Sequence, residues 1–356
     1  MKEINLFIDG EFVKGSEGKT FQGINPATSE TITTVSLPSK ADIDRAIEAA
    51  ENAFYHSEWA TMGAEKRSEI LLKVSELIKE RRKELIEWEI KDSGSTLRKA
   101  KADVHNSASF FKVMSKTCAK FPFEVLDERA SREGFSKNSR QYMPVGVCAQ
   151  IIPWNFPLVM AAWKIGPILA TGCTTVLKTA SETPVTASLL AEILKDAGVP
   201  NGVVNIITGD AEEGAYLIDS PKVKKVGFTG STSVGKLIAK STSQNLTNLS
   251  LELGGKSANI VCEDADLDIA VDGALYAFLY HSGQACDSGT RLLVAESIYD
   301  EFKTKLVERI AQVTVGRPEA AETGFGPVVS QKQMDTILGY INTTKTEGAN
   351  LLYGGR

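Results

Sequence analysis

Cysteine is scarce in this chain of 356 residues, and its five copies, at positions 118, 148, 173, 262 and 286, form no Cys-x-x-Cys pair. Neither a zinc site nor a disulfide framework is therefore indicated. Histidine is scarcer still: His56, His105 and His281 show no metal-type spacing. No segment approaches the ~20 apolar residues of a membrane-spanning helix. The stretch from Met1 to Leu6 has no apolar run suited to a signal peptide. A basic excess is missing too. Forty Lys and Arg against 45 Asp and Glu leave a net charge of −5, which argues against a large nucleic-acid footprint. With 42% hydrophobic and 24% charged residues, no region is polar enough to force disorder. A reducing cytoplasm is the expected location, and Cys148, Cys173 and Cys262, in apolar surroundings, are expected to be small core residues.

The length calls for two domains or more. Leu6 to Phe12 alternates around Asp9-Gly10, a hairpin signal. Ser39 and Asp42 form a capping box ahead of the stripe Ile43, Ala46, Ile47 and Ala50. The pattern predicts one long amphipathic helix over Ile70 to Ile90, ended by Asp92-Ser93-Gly94. From Val145 strands and helices alternate: strands at 147–152, 174–178, 203–207, 225–228 and 249–253, with helices at 158–170 and 185–197 and another opened by the run Gly230 to Gly235. Such alternation predicts a parallel sheet covered on both faces. Phe121 to Tyr142 is polar and breaks the alternation. A second α/β unit follows Lys256, with strands at 258–261 and 291–294 and helices at 269–278 and 300–312.

Three blocks carry chemistry. Cys286 lies in Gly283-Gln284-Ala285-Cys286-Asp287-Ser288-Gly289, where two glycines free the backbone to turn tightly around a thiol. A thiolate there can attack an aldehyde carbon, with its own amide facing the developing oxyanion. Asn155, in Pro153-Trp154-Asn155-Phe156-Pro157, follows the first parallel strand, where a site opens, and is the candidate second donor. Glu252 ends the strand Leu249-Ser250-Leu251-Glu252-Leu253 before Gly254-Gly255. It is the candidate base that activates water, and burial is expected to raise its pKa.

These blocks together resemble the aldehyde dehydrogenase superfamily, and the resemblance runs from Phe12 to the last residue. It implies a Rossmann-like cofactor domain at 1–121 and 145–254, a β-ribbon oligomerisation arm at 122–144 and a second α/β catalytic domain at 255–356. It also implies oxidation of a small aldehyde to an acid with NAD or NADP, Glu252 marking the hydrolytic members, and a homo-oligomer, dimer or tetramer, with no nucleic-acid or membrane partner. The cofactor residues implied are Ile151, Pro153, Trp154, Lys178, Ser181, Gly209, Phe228, Gly230, Ser231, Val234 and Leu253. Lys178 matches the lysine that contacts the adenosine ribose. The loop Phe228 to Gly235 departs from Gly-x-Gly-x-x-Gly as that family does. The substrate pocket implied is Phe156, Met160, Trp163, Tyr280, Ala285 and Asp287.

Two departures stand out. The family often has Glu where this chain has Ser181, so the repulsion against a 2′-phosphate is missing and NADP is expected to be tolerated. The later Glu-x-Phe-Gly-Pro motif of the family is absent. Phe325-Gly326-Pro327-Val328 imitates it with Thr323 in place of the Glu and is read as a different loop, so the catalytic domain is expected to be truncated. Two other readings stay open: a cysteine hydrolase or acyltransferase using Cys286 with His281, and a non-catalytic fragment that keeps cofactor binding.

Overall fold

The computed structural model describes residues 1–131 and 134–355. The chain opens with five short strands, β1 (Lys2–Ile4), β2 (Leu6–Ile8), β3 (Glu11–Val13), β4 (Thr20–Ile24) and β5 (Thr31–Ser36). Four helices follow: α1 (Lys40–His56), α2 (Ala64–Glu80), α3 (Arg82–Ser93) and α4 (Leu97–Lys120). Strands β6 (Glu124–Ser131) and β7 (Gly134–Gln141) pair with each other as a two-stranded antiparallel ribbon. Next come β8 (Val147–Ile151), α5 (Pro157–Thr171), β9 (Thr174–Thr179), α6 (Val185–Asp196), β10 (Val204–Thr208) and α7 (Ala211–Asp219). The alternation continues with β11 (Val223–Gly230), α8 (Thr232–Thr242), β12 (Asn248–Leu253), β13 (Ala258–Val261), α9 (Leu267–Leu279), β14 (Arg291–Val294), α10 (Tyr299–Ile310) and α11 (Gln331–Thr346).

The main sheet has the order β12-β11-β8-β9-β10-β2-β3. Its first five strands are parallel, and the β2–β3 hairpin adds to the far edge in antiparallel sense. The hairpin turns through Asp9 (φ 53°) and Gly10 (φ 78°), the left-handed pair that a tight two-residue connection requires. Every residue of β8, β9 and β10 is buried, as expected for strands covered on both faces. Neighbouring residues serve opposite layers. Leu177 joins Trp59, Leu71, Phe111 and Leu158 in one core, whereas Val176 joins Ile43, Ile47, Ile207 and Phe228 in the other. Truncating a fully buried ring such as Phe111 would cost about 3–5 kcal/mol.

The expected capping box is present: Ser39 Oγ accepts from Asp42 N, and Asp42 Oδ2 accepts from Ser39 N at 2.9 Å. The single helix expected over 70–90 is two. Arg81 leaves helical geometry (φ −88°, ψ 14°), and its guanidinium is drawn to Glu84 and across to Glu192 on α6, which breaks the rod where α3 must turn to meet α6. The polar stretch after α4 forms the ribbon β6–β7. Cys148 and Cys173 are buried as expected, but Cys262 is exposed. It follows the last residue of β13, a strand with one face open to solvent, so apolar neighbours in sequence did not become a core around it.

Candidate active site

All five parallel strands end on the same side, and the loops leaving them build the site. β8 runs into Pro153–Pro157, β11 into Ser231 and β12 into Gly254-Gly255. β8 and β11 are neighbours whose following helices pack on opposite faces: α5 contributes Leu158 and Ile165 to one core, α8 contributes Ile238 to the other. A crevice opens where the winding reverses in this way. Here it is a cavity of about 740 Å³.

That cavity is lined by Pro153, Trp154, Asn155, Phe156 and Met160, by Thr229 to Thr232, by Glu252 to Lys256, and by Gly283 to Cys286 of the second unit. Thus Cys286, Glu252 and Asn155 meet at one cleft from segments far apart in sequence. Gln333 and Tyr340 of α11 close one side, and no motif in the sequence announced them.

The segment before Cys286 is wound unusually. His281 (φ 51°), Ser282 (φ 55°) and Gly283 (φ 80°) are left-handed in succession, a costly run that needs support from its surroundings. Ser282 Oγ supplies some, donating to Gly326 O at 2.9 Å and accepting from Gly326 N at 3.1 Å. Gln284 supplies more: its Nε2 donates to His281 O at 3.1 Å, and its Oε1 accepts from Val329 N at 3.0 Å. The loop Phe325–Val329 therefore braces the Cys286 segment. Asn155 completes the bracing, its Nδ2 donating to Gln284 O at 2.8 Å.

The Cys286 thiol is exposed, yet its pKa is raised, first by burial of the sulfur and then by the Asp287 carboxylate, with Glu252 adding to it. The backbone amides of Cys286 and Asp287 pull the other way without winning. Glu252 is exposed on the edge strand β12, so the burial expected for it is absent. His281 is buried and its ring packs on Phe156 at 5.5 Å. Its pKa is pushed well below the ordinary value by burial and then by Lys99, and its Nε2 has no partner among the described residues. A neutral imidazole facing Phe156 and Lys99 does not form the dyad of the hydrolase reading.

Of the expected pocket residues, Phe156, Met160 and Ala285 line the cleft. Tyr280 stands behind it, stacked on Phe156 at 6.1 Å, and Asp287 is exposed beside Cys286. Trp163 is 51% exposed and packs against Phe110, off the lining. Of the expected cofactor residues, Pro153, Trp154, Gly230, Ser231 and Leu253 line the cleft. Val234 sits in the first turn of α8, its N–H donating to Ser231 Oγ at 3.3 Å. Gly230 has no room for a side chain, since a Cβ would lie 2.5 Å from the Phe228 ring. Ile151 and Lys178 pack side by side against α7 at Gly214. Gly209 and Ser181 follow the neighbouring strands β10 and β9.

Ser181 does not leave its position free of charge, as the sequence suggested: Ser181 Oγ donates to Asp210 Oδ1. Lys178 is buried, which lowers its pKa, and the carboxylates of Asp210, Glu182 and Glu213 act against that shift.

Beneath the cleft lies a charged cluster that sequence reasoning missed. Glu89 Oε1 accepts from Leu158 N at 3.2 Å and from Thr186 Oγ1 at 3.0 Å, and Asp92 Oδ2 accepts from Val185 N at 2.9 Å. Two buried carboxylates thus hold the N-termini of α5 and α6, the ends that favour negative charge. Lys99 pairs with Asp103, bonds Ser95 Oγ at 3.0 Å and lies 4.3 Å from the Phe156 ring. Burial pushes Glu89 up to about 7 and raises Asp92 and Asp103. The only hint in the sequence was several charged residues on the inward stripes of α3 and α4.

A doubly wound parallel sheet whose switch-point crevice receives a thiol from a second α/β unit defines a two-unit α/β enzyme of the dinucleotide-binding class. The sequence profile of the aldehyde dehydrogenase family matches residues 12–356, and the chain belongs to that family. It is 42% identical over 354 residues to an aldehyde dehydrogenase of Aspergillus niger, covering 99% of this chain and 70% of that protein. Among solved structures it is similar to the NAD+ complex of an aldehyde dehydrogenase from Bacillus cereus. That match has TM-score 0.95 and 40% identity, covering all of this chain and 72% of the other. It is also similar to betaine aldehyde dehydrogenase of Staphylococcus aureus in complex with NAD+, with TM-score 0.95, 38% identity, and 99% and 69% covered. Among the described residues no helix is long and apolar enough to cross a membrane.

Proposed function

We propose that this protein oxidises a small aldehyde to the carboxylic acid with NAD or NADP, through Cys286 as nucleophile. The observation that carries this is the meeting of Cys286, Asn155 and Glu252 around one cavity at the carboxyl ends of the parallel strands. The residues present fit a dinucleotide. Gly230 and Ser231 line the cavity at the start of α8, the helix terminus suited to a pyrophosphate. Lys178, near the end of β9, and Ser181, just beyond it, are the residues we assign to the adenosine end, on the family resemblance. When bound, the cofactor accepts the hydride that leaves the substrate carbon.

Cys286 attacks the aldehyde carbon, forming the S–C bond of a thiohemiacetal while the carbonyl π pair moves onto oxygen. The raised pKa of the thiol means that its proton must be removed as attack occurs, and at this exposed thiol it passes to solvent, leaving the Glu252 carboxylate free for the second half-reaction. The oxyanion takes hydrogen bonds from the Cys286 amide and, once Asn155 releases Gln284 O, from the Asn155 amide, each worth ~10²–10³ in rate. Loss of hydride leaves a thioester on Cys286. Glu252 then takes a proton from water as it attacks that carbonyl, and the C–S bond breaks to free the acid and the thiol.

Among the described residues the ribbon β6–β7 pairs with no other strand, which favours its use as a subunit-pairing arm in a homo-oligomer. The decisive experiment follows absorbance of the reduced nicotinamide with aliphatic and aromatic aldehydes and each cofactor. Product formation that is lost in Cys286→Ala supports the reading. Thioester or ester cleavage with no cofactor reduction for any aldehyde would turn it toward a hydrolase.

A further inference from the structure

The Ser181–Asp210 pair lies outside the machinery described for the aldehyde, and it bears on which dinucleotide binds. β9 and β10 are adjacent parallel strands, with Lys178 opposite Ile207 and Thr179 opposite Thr208. Ser181 therefore leaves the end of one strand beside Asp210 leaving the end of the other, and the serine hydroxyl donates to the Asp210 carboxylate. The connection is held from behind as well, because Asp210 N donates to Glu213 Oε2 at 2.8 Å. Three carboxylates, Asp210, Glu182 and Glu213, act on the single ammonium of Lys178. Asp210 is exposed, whereas Lys178 is buried to 7% exposure, so a group arriving from solvent meets the carboxylate first.

We infer that Asp210, positioned by Ser181, is the residue that makes this chain prefer NAD to NADP. The inference rests on the dinucleotide reading of the cleft given above. A ribose with free 2′- and 3′-hydroxyls can donate to a carboxylate in this place, the chemistry by which an acidic residue selects NAD. A 2′-phosphate brings a charge of about −1.5 to −2 and no donor to the same spot. It would meet like charge from Asp210, with Glu182 and Glu213 nearby, and the Lys178 ammonium is already shared among these three carboxylates. The carboxylate missing at position 181 is thus supplied from the next strand. Ser181 becomes its positioning residue rather than an opening for phosphate.

The test measures binding rather than turnover. Purified protein is titrated calorimetrically with NAD and NADP, and with the fragments 5′-AMP and adenosine 2′,5′-bisphosphate. The unphosphorylated member of each pair should bind at least about tenfold more tightly, which corresponds to ~1.4 kcal/mol. Asp210→Asn should shrink that ratio about tenfold, with NADP gaining and NAD losing. Ser181→Ala, which removes only the positioning bond, should shrink it less. Raised salt should narrow the parent ratio by screening and leave that of Asp210→Asn almost unchanged.

A fold defect would weaken all four nucleotides alike and leave the ratio where it was, so the ratio is the diagnostic. If Asp210→Asn does not fold, Ser181→Ala and the salt series decide. Equal affinity of the parent protein for NAD and NADP, or a ratio unmoved by both substitutions, overturns the inference alone. Failure to bind any of the four nucleotides overturns the dinucleotide reading and this inference with it.

Discussion

The Asn155 side-chain amide donates to the backbone carbonyl of Gln284 at 2.8 Å, joining segments 129 residues apart. The donor expected to face the oxyanion is thus also the tie that holds the loop bearing Cys286. Replacing Asn155 by Ala removes both functions. Aldehyde turnover should fall by ~10²–10³, the usual cost of one such donor, and kcat should suffer more than KM. Steady-state kinetics of Asn155→Ala decides it, and an unchanged kcat would remove Asn155 from the mechanism.

Thiol reactivity should single out one cysteine with one competitor. Cys118, Cys148 and Cys173 are buried, while Cys286 and Cys262 are exposed. Cys286 also has two backbone amides that favour its thiolate. Iodoacetamide should modify Cys286 first, read by peptide mass spectrometry, and its modification should abolish turnover. Because the pKa of this thiol is raised, the reactive thiolate is the minor form at neutral pH. The labelling rate should keep climbing with pH beyond the ordinary thiol range. Asp287→Asn removes a charge that opposes the thiolate and should speed labelling at neutral pH. Slower labelling in that variant would contradict the assigned cause.

Glu252→Gln should permit one round of hydride transfer and then stall. The expected record is a burst of reduced nicotinamide of about one per site, followed by turnover depressed by ~10²–10⁴. Rapid-mixing absorbance checks this. A linear trace at the parent rate means that another group activates the water.

The cluster under Phe156 should govern stability and its pH dependence. Lys99→Met leaves Asp103 and Glu89 buried without their cation and should cost about 3–5 kcal/mol in denaturant unfolding. The folded pKa of Glu89 is raised to about 7, above its unfolded value. The folded state therefore holds a proton that the unfolded state gives up, and the Glu89 contribution to stability falls as pH rises from the ordinary carboxyl range through about 7. Glu89→Gln should flatten that part of the profile of melting temperature against pH. An equally steep profile in the variant would place the titration elsewhere.

Much of this architecture was legible along the chain because its signals are local. The alternation from Val147 to Leu253 predicted a parallel sheet, since strands buried on both faces must read as short apolar runs. The Asp9-Gly10 hairpin and the Ser39–Asp42 box were legible for the same reason, as turn and cap chemistry involves only neighbours. The break at Arg81 was not, because Glu192, the partner across the break, comes from a helix more than a hundred residues later.

Residue types settled what this chain can do: a thiol between glycines, an amide between prolines and a carboxylate before Gly254-Gly255 are chemical identities that no packing changes. Only the tertiary structure decided their state. It put Glu252 on an exposed edge, raised the Cys286 thiol through burial and Asp287, neutralised His281 through burial beside Lys99 and braced the nucleophile loop with Phe325–Val329. It also set Asp210 on Ser181, restoring a charge that the sequence at position 181 lacks. The physical reason is common to all of these. A pKa, a loop conformation and a local field depend on distance and burial in space, and residues close in space here are as far apart along the chain as Asn155 and Gln284.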